Sequence, residues 1–511
     1  MTTPSRAACA VLAVAATCGP GCQQELRRDS ASIDRAFAAG NYAQARSLAE
    51  DACGRKGDDQ QDQLVWWLAA GRAGQADMAI MESIQWYGKA YEAVRPYLDA
   101  KAEATVSEAV VTTAVNQTMR IYRATPPERI MLCTLQGANY LWLGDVANAR
   151  IELNRAADFQ QDAVARYAKE VNAAQEQANA DWRKEGWDAS IATGAVASVR
   201  AAWGADPATL GAASFANPFT SCLRAAMLIA AGADSGDLQN ARADLRGVQE
   251  MMPGLTTAAR DIELIDGTGD RAVTWIFCLT GLAPEYREFR LDIPIPVGEV
   301  NYVSAAFPIL QRRADFVPEF QVAGDAGARS ELLADIDAMV EVDFNGRLPA
   351  IVTQEIISSA TKAAATWAAS QAAYSADTTA GILVQIAGIA YQAGSTAADL
   401  RAWTTMPKQV TLLRVPTPAS GRILLRRGDG SRLCKLFVQP GVPNIALVTL
   451  PSSSTSNASV MMYRGAEVHG PPIPIDHPDP VLDAEPDPAP PAATQPAETA
   501  APPTPVAAGI R

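Results

Sequence analysis

Two long amphipathic segments joined by a three-residue turn constrain the fold of this chain more than any other feature. They occupy residues 128–167, ERIMLCTLQGANYLWLGDVANARIELNRAADFQQDAVARY, on either side of Leu143-Gly144-Asp145. Apolar residues recur at steps of three and four, which predicts one buried stripe along each segment. Gly144 suits the left-handed position that ends a helix, and Asp145 is a good N-cap for the next helix. The pattern predicts a helical hairpin of the tetratricopeptide (TPR) type.

The same turn signature occurs three times in the chain. A glycine, an Asn or Asp, an apolar or aromatic residue, two free positions and Ala-Arg follow one another at residues 40–46, 144–150 and 236–242. We therefore predict structural turns at Gly40, at Gly144-Asp145 and at Gly236-Asp237. Because these positions do not follow the TPR period of about 34 residues, we expect an irregular TPR-like array. A generic helical bundle is the alternative.

From about residue 273 the sequence pattern changes from one typical of helices to one that includes strands. Residues 273–279 form a short apolar run before Gly281, which is typical of a buried strand. A further apolar stretch at 379–393 is shorter than a bilayer needs and contains Gln385, so we expect a buried helix there. Other strands are predicted at 286–295, 301–310, 316–322, 409–415, 421–426, 434–439 and 445–450, and helices at 330–342 and 351–374. This pattern predicts an α+β domain.

Both ends of the chain differ in composition from the rest. Residues 1–22 contain a short apolar stretch that ends at Cys22, preceded by glycine, which resembles a lipoprotein signal with lipidation at Cys22. A proline two residues before Cys22 departs from the usual lipobox, and an ordinary cleaved secretory signal is the alternative. The end of the chain is dense in proline, alanine and acidic residues, which predicts a disordered tail.

These patterns together predict a mostly α protein in four parts. With 511 residues the chain is long enough for two or three folded domains. The parts are a lipoprotein-type signal peptide at 1–22, a TPR-like helical domain at 23–270, a smaller α+β domain at 271–465 and a disordered Pro/Ala-rich acidic tail at 466–511.

Composition argues against several classes of function. The chain has 43 Lys and Arg against 56 Asp and Glu, a net charge of −13. General nucleic-acid binding is therefore not expected, because its affinity comes from neutralising phosphates. The two histidines, His469 and His477, lie at or inside the proline-rich tail, which leaves little for His-based catalysis or metal binding. Walker, GxSxG, HExxH and calcium-loop motifs are lacking, so we predict no cofactor and no metal.

Five cysteines follow Cys22, and none of them forms a CxxC pair. Several lie inside apolar runs, where a buried reduced thiol is the simplest interpretation. An oxidising compartment would also allow one or two disulfides, so the sequence leaves their state open. The five are Cys53, Cys133, Cys222, Cys278 and Cys434.

Polar residues around the central hairpin form the candidate partner-binding site. Glu152 and Arg155 lie three residues apart on one predicted helix, and Arg150 lies nearby. Asn139 and Tyr140 could line the same groove, or could cap and pack the hairpin. The functional interpretation is a polar patch that grips a carboxylate or the backbone of a partner. The alternative is an ordinary helix salt bridge.

A second group of residues stands just before the Met406-Pro407 break. It consists of Asp399, Arg401 and Trp403, and the sequence favours neither a functional nor a structural role for them. Acidic residues occur throughout the chain, but no pair of carboxylates with an obvious catalytic relationship stands out. We therefore predict no enzymatic activity.

Four segments, in order, resemble a family of Gram-negative envelope lipoproteins with a TPR-like front half. They are ERIMLCTLQGANYLWLGDVANARIELNRA, NPFTSCLRAAMLIAAG with GDLQNARADL, WIFCLTGLAPEYREFRLDIPI, and ADLRAWTTMPKQVTLLRVPTPASG, and the resemblance covers roughly residues 30–425. The resemblance implies a lipoprotein, on the periplasmic face of the outer membrane. The family has no agreed activity, so the resemblance implies location and architecture but no chemistry.

We therefore expect a non-catalytic envelope lipoprotein that acts as a protein–protein interaction scaffold or accessory subunit in cell-envelope assembly. It would be held at the membrane by a lipid on Cys22 and would bind a protein partner in the envelope. The alternative is an enzyme that binds or cleaves cell-wall polymer through paired carboxylates. A third interpretation is a structural component that organises the wall through its acidic, proline-rich tail.

Overall fold

The computed structural model describes residues 21–55, 62–95, 121–205, 216–232, 234–268, 272–295, 302–323, 328–376, 378 and 397–465. Within these ranges the protein is mostly helical and carries a smaller sheet-containing part. The predicted tail at 466–511, the apolar stretch at 379–393 and the first 20 residues of the predicted signal peptide lie outside the described residues.

Eleven helices follow one another along the described ranges. They are α1 (Gly21–Ala38), α2 (Tyr42–Arg55), α3 (Gln63–Ala76), α4 (Ile80–Val94), α5 (Pro126–Trp142), α6 (Val146–Glu185), α7 (Ala189–Trp203), α8 (Pro218–Ala230), α9 (Ser235–Met251), α10 (Thr256–Ile265) and α11 (Ile336–Ala376). From α1 to α6 each helix packs against the next, as do α8, α9 and α10, and α8 also packs against α5 and α6. No helix of the described ranges is long and apolar enough to cross a membrane.

The turn of the central hairpin has the geometry that its sequence predicts, and the start of α5 is capped by side chains as well. Thr125 and Glu128 form a reciprocal capping box at the start of α5, which satisfies two otherwise unpaired backbone N–H groups. Gly144 has a φ of 77° after α5, a conformation that costs side chains with a Cβ about 1 kcal/mol. Asp145 then accepts a hydrogen bond from the backbone N–H of Asn148 and caps α6.

The other two turns of the repeated signature differ from each other. Gly40 lies between α1 and α2 with a φ of 77°. Gly236 and Asp237 lie in the first turn of α9, because Asp234 is its N-cap and accepts a hydrogen bond from the backbone N–H of Asp237. The left-handed glycine of this turn is Gly232, with a φ of 68°. The turn predicted at Gly236-Asp237 therefore lies several residues earlier.

Two helices are much longer than the others. Helix α6 runs for 40 residues and so includes both the second helix of the central hairpin and its charged extension. Helix α11 runs for 41 residues and continues through Pro349, so the helices predicted separately at 330–342 and 351–374 are joined. The prediction that a helix begins at residue 330 was wrong for the first turn of that helix. Residues 331–335 form a strand, and the Asp335 carboxylate accepts from the backbone N–H of Ala338 to fix the start of α11.

The strands of the described residues are β1 (Val273–Thr280), β2 (Glu285–Ile293), β3 (Val303–Gln311), β4 (Phe320–Val322), β5 (Glu331–Asp335), β6 (Gln409–Pro416), β7 (Arg422–Arg427), β8 (Arg432–Phe437), β9 (Asn444–Leu450) and β10 (Ser459–Tyr463), and α11 lies between β5 and β6 in the chain. These strands form three sheets. The largest has the strand order β10-β9-β1-β6-β5, and the other two are β2-β3 and β4-β7-β8. Strand β1 pairs parallel with β9, and the other strand pairs are antiparallel. Strand β10 was not predicted.

The five-stranded sheet is covered on both faces. Trp275 and Phe277 of β1 belong to the hydrophobic core that contains the helices. Ile276 and Cys278, on the opposite face, pack with Leu425 of the three-stranded sheet. Every residue of β1 is buried, as expected for a strand between two layers. One continuous hydrophobic core thus extends from the helices into the sheet.

A second core lies where the hairpin of β2 and β3 meets three helices. Trp182 near the end of α6, Val199 of α7, Phe307 of β3 and Phe344 of α11 all belong to it. Trp203 stacks edge-on against Phe344 with ring centroids 5.1 Å apart. This second core packs the end of α6 and the first part of α11 against the hairpin.

Candidate functional site

Glu152 and Arg155, predicted as a pair, form an ion pair on α6. Arg155 Nη1 lies 2.6 Å from Glu152 Oε1, and the Arg155 side chain is 39% exposed while that of Glu152 is 10% exposed. The Arg155 guanidinium also lies over the ring of Tyr91 on α4, 4.4 Å from the ring centroid. A guanidinium held over an aromatic ring is attracted by the ring quadrupole, so Arg155 is held between two helices.

Tyr140 on α5 completes this arrangement. Its side chain is half-buried, and its pKa is raised by burial and by the nearby Glu152 carboxylate. Burial also raises the pKa of Glu152, an effect that Arg155 partly offsets. We call the set formed by the partly exposed Tyr91, Tyr140 and Arg155 and the buried Glu152 the tyrosine–arginine surface.

The other two predicted partner-binding residues do not belong to this surface. Asn139 is fully buried, where its Oδ1 accepts from Gln75 Nε2 at 2.8 Å and its Nδ2 donates to Ser83 Oγ at 2.9 Å. Arg150 makes a two-pronged ion pair with Asp237 at 2.9 and 2.6 Å. Asn139 therefore joins α3, α4 and α5, and Arg150 joins α6 to α9. Neighbouring residues on a helix point about 100° apart, which separates Asn139 from Tyr140.

A fully bonded carboxylate lies at the junction between the helices and the sheet. Glu128 of α5 is buried and accepts hydrogen bonds from Tyr122 Oη at 2.6 and 2.7 Å, from the Thr125 N–H at 2.7 Å and from the Trp403 N–H at 2.8 Å. Burial raises the pKa of Glu128, although these donors stabilise its charged form. The acid belongs to the capping box of α5, so the same side chain caps a helix and holds the segment that leads into β6.

Arg401 strengthens the same junction. It is almost fully buried and pairs with Asp399 at 2.7 Å and with Asp62, just before α3, at 3.1 Å. Its guanidinium also lies 5.5 Å from the centroid of the Tyr122 ring. Asp399, Arg401 and Trp403, left without a role by the sequence, thus attach this segment to α3 and α5.

A small recess opens beside Glu128, with about 310 Å³ of space that includes open solvent at its mouth. Its walls are mostly aromatic and apolar, while the Glu128 oxygens already accept from three groups of the chain, the Tyr122 hydroxyl and the N–H groups of Thr125 and Trp403. The lining residues are Tyr122, Thr125, Glu128, Ala283, Pro284, Tyr286, Val340, Ala402, Trp403 and Met406.

Other buried ion pairs attach helices to strand β6 and to the residue just before it. Asp261 of α10 pairs with Arg414 of β6 at 2.6 Å and accepts from Trp275 Nε1 at 2.8 Å. Lys408, just before β6, pairs with Asp337 of α11. Removing one member of such a buried pair leaves an uncompensated charge. No sequence motif reveals these pairs, because their members lie far apart in the chain.

Comparisons with known proteins give no match. No protein-family model, no curated protein and no solved structure matches this chain. Within the part of the chain that the structure describes, no group of three His, Cys, Asp or Glu side chains is arranged to hold a metal ion.

Proposed function

We propose that this protein is a non-catalytic, lipid-anchored component of the bacterial cell envelope that binds a partner protein as a scaffold or accessory subunit. The observation that carries the proposal is the tyrosine–arginine surface. Tyr91 and Tyr140 supply rigid aromatic area, and Arg155 supplies a charged group already held in place by Glu152 and the Tyr91 ring. Tyrosine and arginine are enriched among the residues that dominate protein-binding energy.

The order of the helices supports a TPR-like architecture for this part. Helices α1 to α6 pack each against the next along the chain. Left-handed glycines, Gly40 and Gly144, end the first helix of two of the hairpins. Repeated helical hairpins of this kind create extended surfaces on which partner segments lie. The tyrosine–arginine surface spans three such helices, α4, α5 and α6.

The location rests on the N-terminal sequence and on the family resemblance. We propose that Cys22 carries the lipid and that the protein lies on the periplasmic face of the outer membrane. Metabolic labelling with palmitate tests the anchor. Label is expected in the wild type and absent in Cys22→Ala, whereas label that persists in the variant would assign the lipid to another residue.

Site-specific photocrosslinking in cells tests partner binding. A photoreactive amino acid placed at Tyr140 is expected to give one dominant protein adduct, and the same group at Arg166 serves as the control. Arg166 lies on α6 and is 46% exposed on its side chain, where it pairs with Asp162, so it samples the same helix away from the surface. Equal adducts at both positions would contradict the proposal, and adducts with wall fragments alone would favour polymer binding.

Substitution of residues of the tyrosine–arginine surface tests whether their side chains contribute to partner binding. Arg155→Ala and Tyr91→Ala each remove one half of the stacked pair, and we expect each to reduce the adduct at least tenfold, the loss that corresponds to about 1.4 kcal/mol. Arg166→Ala should leave the adduct unchanged. Circular dichroism of each purified variant separates loss of binding from loss of folding.

A further inference from the structure

Arg72 of α3 is a buried cation that faces only neutral groups. Its side chain is 1% exposed. Its Nη1 donates to Gln75 Oε1 at 2.9 Å and its Nη2 donates to Thr449 Oγ1 at 3.1 Å. The guanidinium carbon lies 5.4 Å from the centroid of the Phe37 ring. An amide, a hydroxyl and an aromatic face can orient the guanidinium, but they carry no negative charge.

Two other arginines of the described ranges that are largely buried are paired with acids. Arg401 pairs with Asp62 and Asp399, and Arg414 pairs with Asp261. Burying a charge without a counter-charge is strongly unfavourable, and arginine does not escape by losing its proton. Arg72 therefore needs a compensating negative charge from another source.

The tyrosines beside Arg72 do not provide that charge. Burial lowers the pKa of Arg72, and the ionisable groups that oppose this effect are Tyr87 and Tyr42. Burial raises the pKa of both phenols above the ordinary tyrosine value, against the effect of Arg72. Both phenols are consequently neutral at physiological pH, and each keeps its O–H proton.

Two hydrogen-bond donors in this region have no acceptor among the described residues. Arg72 Nε and Tyr87 Oη are buried and make no hydrogen bond there. The Tyr87 ring packs against Gly71, the residue before Arg72, since a Cβ at Gly71 would lie 2.4 Å from Tyr87 Cδ1. Buried polar groups are nearly always hydrogen-bonded, so these two donors and the unpaired guanidinium each call for an acceptor.

We propose that Arg72 Nε and Tyr87 Oη together bind one monovalent anion of about the size of chloride. The anion neutralises the guanidinium and accepts the hydrogen bonds of both donors. A monatomic ion suits this place better than an oxyanion, because two donors would leave most oxygens of a buried oxyanion without a hydrogen bond, and Phe37, Tyr87 and Arg72 are all at most 1% exposed. Since Arg72 also bonds to Thr449 of β9, the ion stabilises the attachment of α3 to the five-stranded sheet.

Crystals of the full chain soaked in bromide test the site directly. We expect an anomalous peak in contact with Arg72 Nε and Tyr87 Oη. Density without anomalous signal would mean that water fills the space, and that result would overturn the proposal. This experiment needs no substitution and therefore does not depend on the folding of a variant.

Urea unfolding in mixtures of chloride and gluconate at constant ionic strength tests the energetic role. When chloride exceeds its dissociation constant, a bound ion lowers the unfolding equilibrium constant of the wild type tenfold for each tenfold rise in chloride. Arg72→Met should abolish this dependence. Arg95→Met, at a position 62% exposed on its side chain, is the matched control and should keep it.

Tyr87→Phe provides a milder variant for the same titration. Loss of the phenolic donor should shift the chloride response to at least fivefold higher concentration while the protein remains folded. If wild type, Tyr87→Phe and Arg72→Met all respond equally, the effect of chloride is general and the site is refuted. The site would also be refuted if the unfolding equilibrium constant of the wild type did not change with chloride concentration.

Discussion

Glu128 on α5 accepts the backbone N–H of Trp403, 275 residues further along the chain, at 2.8 Å. The same carboxylate closes the capping box at the start of α5 through the Thr125 N–H. Helix initiation in the front of the chain and the path of the segment before β6 are thus set by one side chain. Loss of the Glu128 carboxylate would therefore disturb the start of α5 and the segment before β6 together.

Glu128→Gln is expected to destabilise the protein by about 2 kcal/mol. The substitution keeps the size of the side chain but presents an amide NH₂ to donors that need an acceptor, and hydrogen bonds to a charged group contribute about 1.5–3 kcal/mol. Urea unfolding measures the change. Glu92→Gln, at a position 58% exposed on its side chain, should have little effect, and equal stability of both variants would show that the Glu128 contacts are weak.

Stability should depend on the protonation of Asp337 near neutral pH. Burial raises the pKa of Asp337 to about 7, although Lys408 opposes the shift. Because the folded state holds this proton more tightly than the unfolded state, the stability contribution is complete below the ordinary pKa of 3.8 and is lost as pH rises through about 7. Asp337→Asn should remove this part of the pH dependence in urea unfolding from pH 5 to pH 8. An identical profile for wild type and variant would contradict the assignment.

Glu331 should have the opposite pH dependence. Its carboxylate accepts from the N–H groups of Thr256 and Thr257 at 2.9 and 3.2 Å, and from their hydroxyls at 2.7 and 2.6 Å. Burial raises the pKa of Glu331, but these hydrogen bonds outweigh it and the net shift is downward. Its contribution is therefore present above the ordinary pKa of 4.5 and is lost as pH falls through the lower folded value.

Replacement of Glu331 by Ala tests this cap of α10. We expect a loss of about 1–2 kcal/mol at pH 7, the range of helix N-cap deletions. The difference between wild type and variant, followed by thermal unfolding, should narrow in acid below the ordinary glutamate pKa. A difference that stays constant from pH 7 to pH 3 would mean that the charge of Glu331 is unimportant.

Gly144→Val should lower stability by more than about 1 kcal/mol, because a β-branched residue is strained at a φ of 77°. Thermal unfolding gives the change. Gly88→Ala in α4 is the matched control, since a Cβ there meets nothing within 4 Å and alanine favours a helix. A Gly144 variant as stable as this control would show that the turn tolerates a side chain.

Local signals in the sequence predicted local structure well. The left-handed Gly144, the N-cap Asp145 and the apolar run of β1 depend on residues close in the chain. The start of α11 was misplaced because residues 331–335 are held as a strand by pairing with β6, a partner about 80 residues away. The sequence shows only the amphipathic pattern around residues 331–335, and that pattern also suits a helix.

The candidate site was only partly predictable for a related reason. Glu152 and Arg155 are one helical turn apart, so their pairing follows from spacing alone. Asn139 and Arg150 find their partners, Ser83 and Asp237, on other helices, and these partners remove them from the tyrosine–arginine surface. The buried roles of Glu128 and Arg401 depend on contacts across the whole chain, and no local pattern encodes them.

The position of β1 has a consequence for how the chain reaches its native state. This central strand has β6 and β9 as its neighbours, and both are synthesised more than 120 residues after it. Helical hairpins close early because their contacts are local, whereas pairing between distant strands is slow. An apolar strand, VTWIFCLT, thus stays unpaired until residues 409–416 are made, and its other edge stays open until residues 444–450 follow. Protection of this strand from other chains during that interval becomes a requirement of biogenesis.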